Sequence, residues 1–154
     1  MRILIAEDNE LKFEDLIAAL GALSPAVEPV RAKTIVEVED WLEKGEWDLV
    51  LLDISMDIAP GAAGPLRDGH ASLGGMDVLE RMFLLRSEYP TIIVTGFDYF
   101  VAPGPDSSIR EAQTLADLEI KARGLIGDHL LGCVRYGAQD WRSRLISLLP
   151  RSGQ

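Results

Sequence analysis

The sequence is short of several things at once, and each shortage narrows what the chain can be. There is one cysteine, Cys133, among 154 residues, so no internal disulfide can form and a reducing compartment is expected. Lys and Arg number 15 against 25 Asp and Glu, a formal net charge of −10. Such a chain lacks the clustered basic surface that nucleic-acid phosphates need, and equally the positive face that docks on an anionic membrane. No apolar run approaches the ~20 residues of a membrane-spanning helix. The apolar start Ile3–Ala6 is too short for a signal-peptide core and is followed at once by Glu7, Asp8 and Glu10. The expectation is a cytoplasmic protein with neither nucleic acid nor membrane as partner. Its 47% hydrophobic and 26% charged residues are ordinary for a globular domain, here a single one over 1–150 with a loose tail at 151–154.

What is present is an alternation of short apolar runs with amphipathic stretches. Arg2–Ala6 reads as a first strand, followed by a helix from Asn9 or Glu10 to about Leu23 with Phe13, Leu16, Ile17 and Leu20 on one face, broken at Ser24-Pro25. A weaker strand covers Val27–Arg31, and Thr34 caps a helix to Lys44, ended by Gly45. Asp48–Asp53 is the third strand, Met76–Ser87 a helix and Thr91–Thr95 the fourth strand. Thr114 and Asp117 have capping-box spacing for a helix to about Asp128; Leu130–Arg135 is a fifth strand and Ala138–Leu149 a last helix. Strands alternating with helices predict right-handed βαβ units, hence an α/β fold with a five-stranded parallel sheet covered by helices on both faces. Two connections are long: Ile54–Gly75, with five glycines, two prolines and His70, and the irregular Gly96–Gln113. Both follow strands, and loops of that length are usually functional or disordered.

The chemistry concentrates at strand ends. Glu7 and Asp8 close the run ILIA, and Asp53 closes LVLL. Apolar runs of this kind are strands buried on both faces, so the three carboxylates are expected together at the carboxyl edge of the sheet, where open α/β sheets bind ligands. Three clustered carboxylates repel one another unless a cation joins them, which points to a hard ion such as Mg²⁺.

These residues resemble the receiver domain of two-component response regulators. Glu7-Asp8 after the first strand matches its acidic pair, Asp53 with Ile54-Ser55-Met56 its phosphoacceptor, Gly75-Met76-Asp77-Val78-Leu79 its glycine-led third helix, and Thr95-Gly96 its hydroxyl residue. The resemblance covers nearly the whole chain apart from the two long segments. It implies a flavodoxin-like (β/α)5 fold with strand order 2-1-3-4-5, and a switch in which Asp53 accepts a phosphoryl group from a histidine kinase or phosphotransfer protein. It further implies Mg²⁺ held by Asp8 and Asp53, with Glu7 acting through water and the Ser55 backbone carbonyl assisting, and a Thr95 hydroxyl that hydrogen-bonds the phosphoryl group. Output would then be a protein–protein contact with a downstream target, or a homodimer, rather than enzymatic turnover.

The chain departs from the family at the end of the fifth strand. A lysine, usually followed by proline, is the family's residue there; here the strand ends Cys133-Val134-Arg135-Tyr136-Gly137. Arg135 is the preferred replacement and Lys121, inside a helical pattern, the rival; arginine keeps the charge but is longer and forked. The family's aromatic switch residue is absent, with Cys133 near its place. A second reading therefore stands beside the first: a pseudo-receiver that binds a partner without being phosphorylated. Asp57 has the wrong spacing for a phosphatase Asp-x-Asp, His70 reads as solvated, His129 as a helix-end residue, Cys133 as a buried hydrophobe, and Trp41, Trp47 and Trp141 as packing residues.

Overall fold

Four largely aliphatic runs and one more polar segment at the edge build the central sheet of the computed structural model, which describes residues 1–22, 26–56, 74–96, 99–101 and 112–150. The strands are β1 (Arg2–Ala6), β2 (Glu28–Ala32), β3 (Leu49–Leu52), β4 (Thr91–Thr95) and β7 (Leu130–Arg135), all parallel, in the order β2-β1-β3-β4-β7. This is the α/β architecture and order expected. β1, β3 and β4 are buried almost end to end, as strands covered on both faces must be.

Side-chain alternation along the strands divides the core into two layers. Ile3, Ile5, Leu49, Leu51, Ile92 and Val94 pack under α1 (Glu10–Gly21) and α5 (Trp141–Leu148). Leu4, Ala6, Val50, Leu52 and Ile93 face α2 (Ile35–Lys44), α3 (Gly74–Leu85) and α4 (Leu115–Ile126). The period of two in the strands and the right-handed crossovers together decide which helix lies on which face.

Helix starts follow local chemistry. Asn9 and Thr34 accept from Lys12 N and Glu37 N, and Thr114 with Asp117 forms a complete capping box. Helix ends differ from the sequence expectation. α4 stops at Ile126 because Gly127 takes φ +57° and a short 3₁₀ turn (Gly127–His129) follows. α5 begins at Trp141 rather than Ala138, after turns around Gly137 at φ +92°. α3 runs from Gly74 to Leu85, two residues earlier at each end than its apolar pattern indicates.

The segment 96–113 is not irregular throughout, as its composition led one to expect. β5 (Tyr99–Val101) and β6 (Ala112–Thr114) pair antiparallel as a separate two-stranded sheet. Runs of three residues carry too little periodicity to be seen in sequence, although Tyr, Phe and Val are strand formers. Most of the two long segments, with Asp57 and His70, the Ser24-Pro25 break and the tail 151–154 lie outside the described residues. No helix among the described residues is long and apolar enough to cross a membrane.

Candidate functional site

The register of the sheet brings the carboxylates together. Ala6 pairs with Leu52, and the ladder runs one step further: Asp53 N donates to Ala6 O at 3.1 Å, and Glu7 N to Ala32 O at 3.0 Å. Glu7 and Asp53 therefore leave adjacent strands side by side. One oxygen from each of Glu7, Asp8 and Asp53 lies within 4.8 Å of the others; Glu7 and Asp53 are buried and Asp8 is exposed.

Asp53 is held by the turn that follows it. The Ser55 N–H and hydroxyl both donate to Asp53 Oδ1, at 2.9 and 2.7 Å. Two glycines let α3 close over that turn. Gly75 N donates to Ile54 O at 3.0 Å, and a Cβ on Gly74 would fall 2.0 Å from Met56 O. The start of α3 thus lies against the backbone that carries the nucleophile candidate, which is the physical reason for the glycine pair.

On the other side, Arg31 ties the β1–α1 loop. Its guanidinium donates to Glu7 O at 3.2 Å, Asp8 O at 3.4 Å and Glu10 Oε2 at 2.6 Å, and it stacks 4.4 Å from the Phe13 ring centroid. That contact holds the Glu10 carboxyl below the usual carboxylate range. Glu7 moves the opposite way: burial, reinforced by the Asp53 charge and offset in part by Lys12, pushes it up to about 7.

Lys12 is the residue that sequence reasoning missed. Its ammonium enters the pocket from α1, 2.6 Å from Glu7 Oε2, 3.5 Å from Asp53 Oδ2 and 2.9 Å from Val94 O. Glu7 Oε2 is buried and has this ion-pair contact without a directed hydrogen bond. A signal was available: α1 buries Lys12, Leu16, Ala19 and Leu20, a helical stripe that the apolar residues Phe13, Leu16, Ile17 and Leu20 only partly mark. Lysine is rarely on such a stripe unless paired.

Thr95 ends β4, fully buried, in register with Arg135 on β7. Its carbonyl accepts from Tyr136 N at 2.8 Å. The Arg135 guanidinium donates to the Tyr136 carbonyl, and Lys121 is exposed on α4. The side chain that pairs with both Glu7 and Asp53 is Lys12, whose four-carbon stem reaches inward from the first helix. Tyr136, standing where the family has proline, packs against Trp141 at 5.2 Å between centroids and lies 5.8 Å from Lys12 Nζ; its hydroxyl donates to Asp15. The remaining polar candidates take structural places. His129 Nδ1 lies 3.2 Å from the last α4 carbonyl, Ile126 O, and 3.3 Å from Glu88 Oε2, and Trp47 packs edge-on to Trp41.

Strand order, helix placement and the acidic strand ends define an α/β domain with the fold of response regulator receivers, and solved structures bear this out. The chain is 19% identical to a CheY-like receiver domain protein of Methanospirillum hungatei, covering 95% of this chain and 87% of that one with a TM-score of 0.60. It is 20% identical to the non-phosphorylated HemR receiver domain of Leptospira biflexa, over 99% of this chain and 97% of that one, with a TM-score of 0.62. The response regulator TrrA of Thermotoga maritima, in complex with Mg²⁺-BeF, matches at 19% identity over 96% of this chain and 98% of that one, with a TM-score of 0.57. No family model matches the sequence, and no curated protein does.

Proposed function

We propose that this chain is a receiver in two-component phosphorelay signalling, with Asp53 as phosphoacceptor. The observation that carries the reading is the meeting of Asp53, Glu7 and Asp8 at one edge of the sheet, their oxygens within 4.8 Å, beside Thr95 at the next strand end. A carboxylate oxygen of Asp53 attacks the phosphorus of a phosphohistidine protonated on its other ring nitrogen; the P–O bond forms as the P–N bond breaks, and the bond's electron pair stays with the ring, which leaves as neutral imidazole. Ser55 orients the carboxylate through Oδ1, so that the attack does not wait on rotation of the side chain. The Thr95 hydroxyl hydrogen-bonds the transferred group, and Arg135, one register step across, contributes positive charge at the same edge.

The donor set fits a hard divalent cation: oxygens alone, with a buried Glu7 oxygen that has no directed hydrogen bond. Asp8, Asp53 and the Ser55 backbone carbonyl would hold Mg²⁺, with Glu7 acting through water. The charge it supplies offsets that of the nucleophile and the phosphoryl group. The Mg²⁺-BeF complex of TrrA supports this assignment. A cytoplasmic histidine kinase or phosphotransfer protein is the donor, and output is a contact with a target protein or a second copy of the chain.

A second reading is favoured by one observation, the ion pair between Lys12 and Glu7, which already balances part of the acidic pocket: a pseudo-receiver that binds its partner unphosphorylated. Incubation with Mg²⁺ and acetyl phosphate or phosphoramidate, followed by intact mass measurement, separates the two. A phosphoryl adduct that disappears in Asp53→Asn supports the switch; its absence in the wild type supports the pseudo-receiver.

A further inference from the structure

Lys12 is the one buried basic side chain among the described residues, and the phosphoryl-transfer chemistry gives it no task. An ammonium is costly to bury unless its charge is matched and its N–H groups find acceptors. Here the charge is matched by Glu7 Oε2 at 2.6 Å and Asp53 Oδ2 at 3.5 Å, one N–H donates to Val94 O at 2.9 Å, and the Tyr136 ring lies 5.8 Å away. The lysine is 5% exposed and is anchored by Leu16, Ala19 and Leu20 of the same buried stripe. Its position is therefore set by the packing of α1 on the sheet as well as by the charges it meets.

The same two carboxylates are in the set that would hold a divalent cation. A cation there and the Lys12 ammonium repel at short range, where screening by salt is weak, and both draw on Glu7 and Asp53. We propose that Lys12 is an internal counter-ion of the pocket, which competes with the divalent cation for Glu7 and Asp53. Lys12 thereby lowers the metal affinity of the site and keeps the two buried carboxylates compatible with folding when no metal is bound. Metal binding loosens Lys12 from Glu7 and frees its ammonium toward solvent or an incoming phosphoryl oxygen. The proposal rests on reading the pocket as a divalent-cation site.

Mg²⁺ titration by calorimetry on the full chain, cross-checked with Mn²⁺ by paramagnetic resonance, tests it in three forms of the protein. Lys12→Met removes the charge and keeps most of the stem; it should bind Mg²⁺ at least tenfold more tightly than the wild type. Lys12→Arg keeps the charge and should stay within about threefold of the wild type. Equal affinity in all three overturns the role of Lys12 and leaves the metal site standing, as does tightening in both variants, which would be a packing effect. No binding in any form overturns both the proposal and the metal reading beneath it. A Lys12→Met chain that folds only when Mg²⁺ is added supports the counter-ion role.

The wild-type protein supplies a measurement that does not depend on the variants folding. The chain has four lysines, Lys12, Lys33, Lys44 and Lys121, which peptide mass mapping resolves after reductive methylation. Lys12 should react slowly without metal and several-fold faster with saturating Mg²⁺, the other three being unchanged. A Lys12 rate that does not respond to Mg²⁺ overturns the competition.

Discussion

The Cβ that Gly75 lacks would stand 2.7 Å from the carbonyl oxygen of Asp53 and 2.5 Å from Ile54 Cα. Both neighbours are backbone, so neither can swing aside, and the start of α3 would have to lift from the turn that carries the phosphoacceptor candidate. Gly75→Ala should cost about 1–3 kcal/mol by overpacking, read as a lower urea midpoint at unchanged slope. It should also slow phosphorylation of Asp53, because the Gly75–Ile54 hydrogen bond braces the turn that Ser55 completes. A variant as stable as the wild type would show that α3 can move without cost.

Glu7 makes stability depend on pH in an unusual direction. Its carboxyl rises from 4.5 to about 7 on folding, chiefly by burial, so the native state binds more protons than the unfolded one between those values. Its contribution is present in full below about pH 4.5 and is lost as pH rises to about 7, by an amount on the order of 3 kcal/mol. Glu10 and Asp117, whose pKa values are lowered by Arg31 and by the Thr114 N–H, act in the opposite sense but are fully exposed. Denaturant midpoints from pH 4.5 to 8 in chelator should therefore fall more steeply for the wild type than for Glu7→Gln. Parallel curves would remove Glu7 from the account.

The α4 cap offers a local test. Thr114 Oγ1 accepts from Asp117 N and Asp117 returns a carboxylate oxygen to Thr114 N, at 3.1 and 3.0 Å. Thr114→Ala should cost about 1 kcal/mol, visible in thermal unfolding. It should leave Mg²⁺ binding unchanged, since α4 supplies none of the three carboxylates.

Cys133 should be chemically silent in the native protein. Burial pushes its thiol up to about 12, leaving little thiolate at neutral pH, and its surface is 8% exposed. A chromogenic disulfide reagent should titrate one thiol rapidly in urea and much more slowly in buffer. Fast reaction in buffer would mean that β7 opens locally.

Much of this protein was legible along the chain, for reasons that are local. Aliphatic runs such as LVLL and TIIVT have one comfortable place, a strand buried on both faces, and β4 and β7 fall where their composition puts them. Caps at Asn9, Thr34 and Thr114 depend on hydrogen bonds within three or four residues, so sequence spacing suffices to find them. The acidic strand ends followed from the same logic, since the carboxyl ends of parallel strands share one edge.

What the sequence by itself determined is thus the alternation of elements, the fold class and the gathering of Glu7, Asp8 and Asp53. What only the tertiary structure decided is which cation meets them. That depends on how α1 is rotated against the sheet, a property of packing between elements far apart in the chain. The rotation buries Lys12 with Leu16, Ala19 and Leu20, and brings its ammonium to Val94 O, a carbonyl 82 residues away. Periodicity marks the apolar face of a helix too coarsely to tell a buried lysine at its margin from a solvated one. The β5–β6 pair escaped for the related reason that three-residue strands have no period to read.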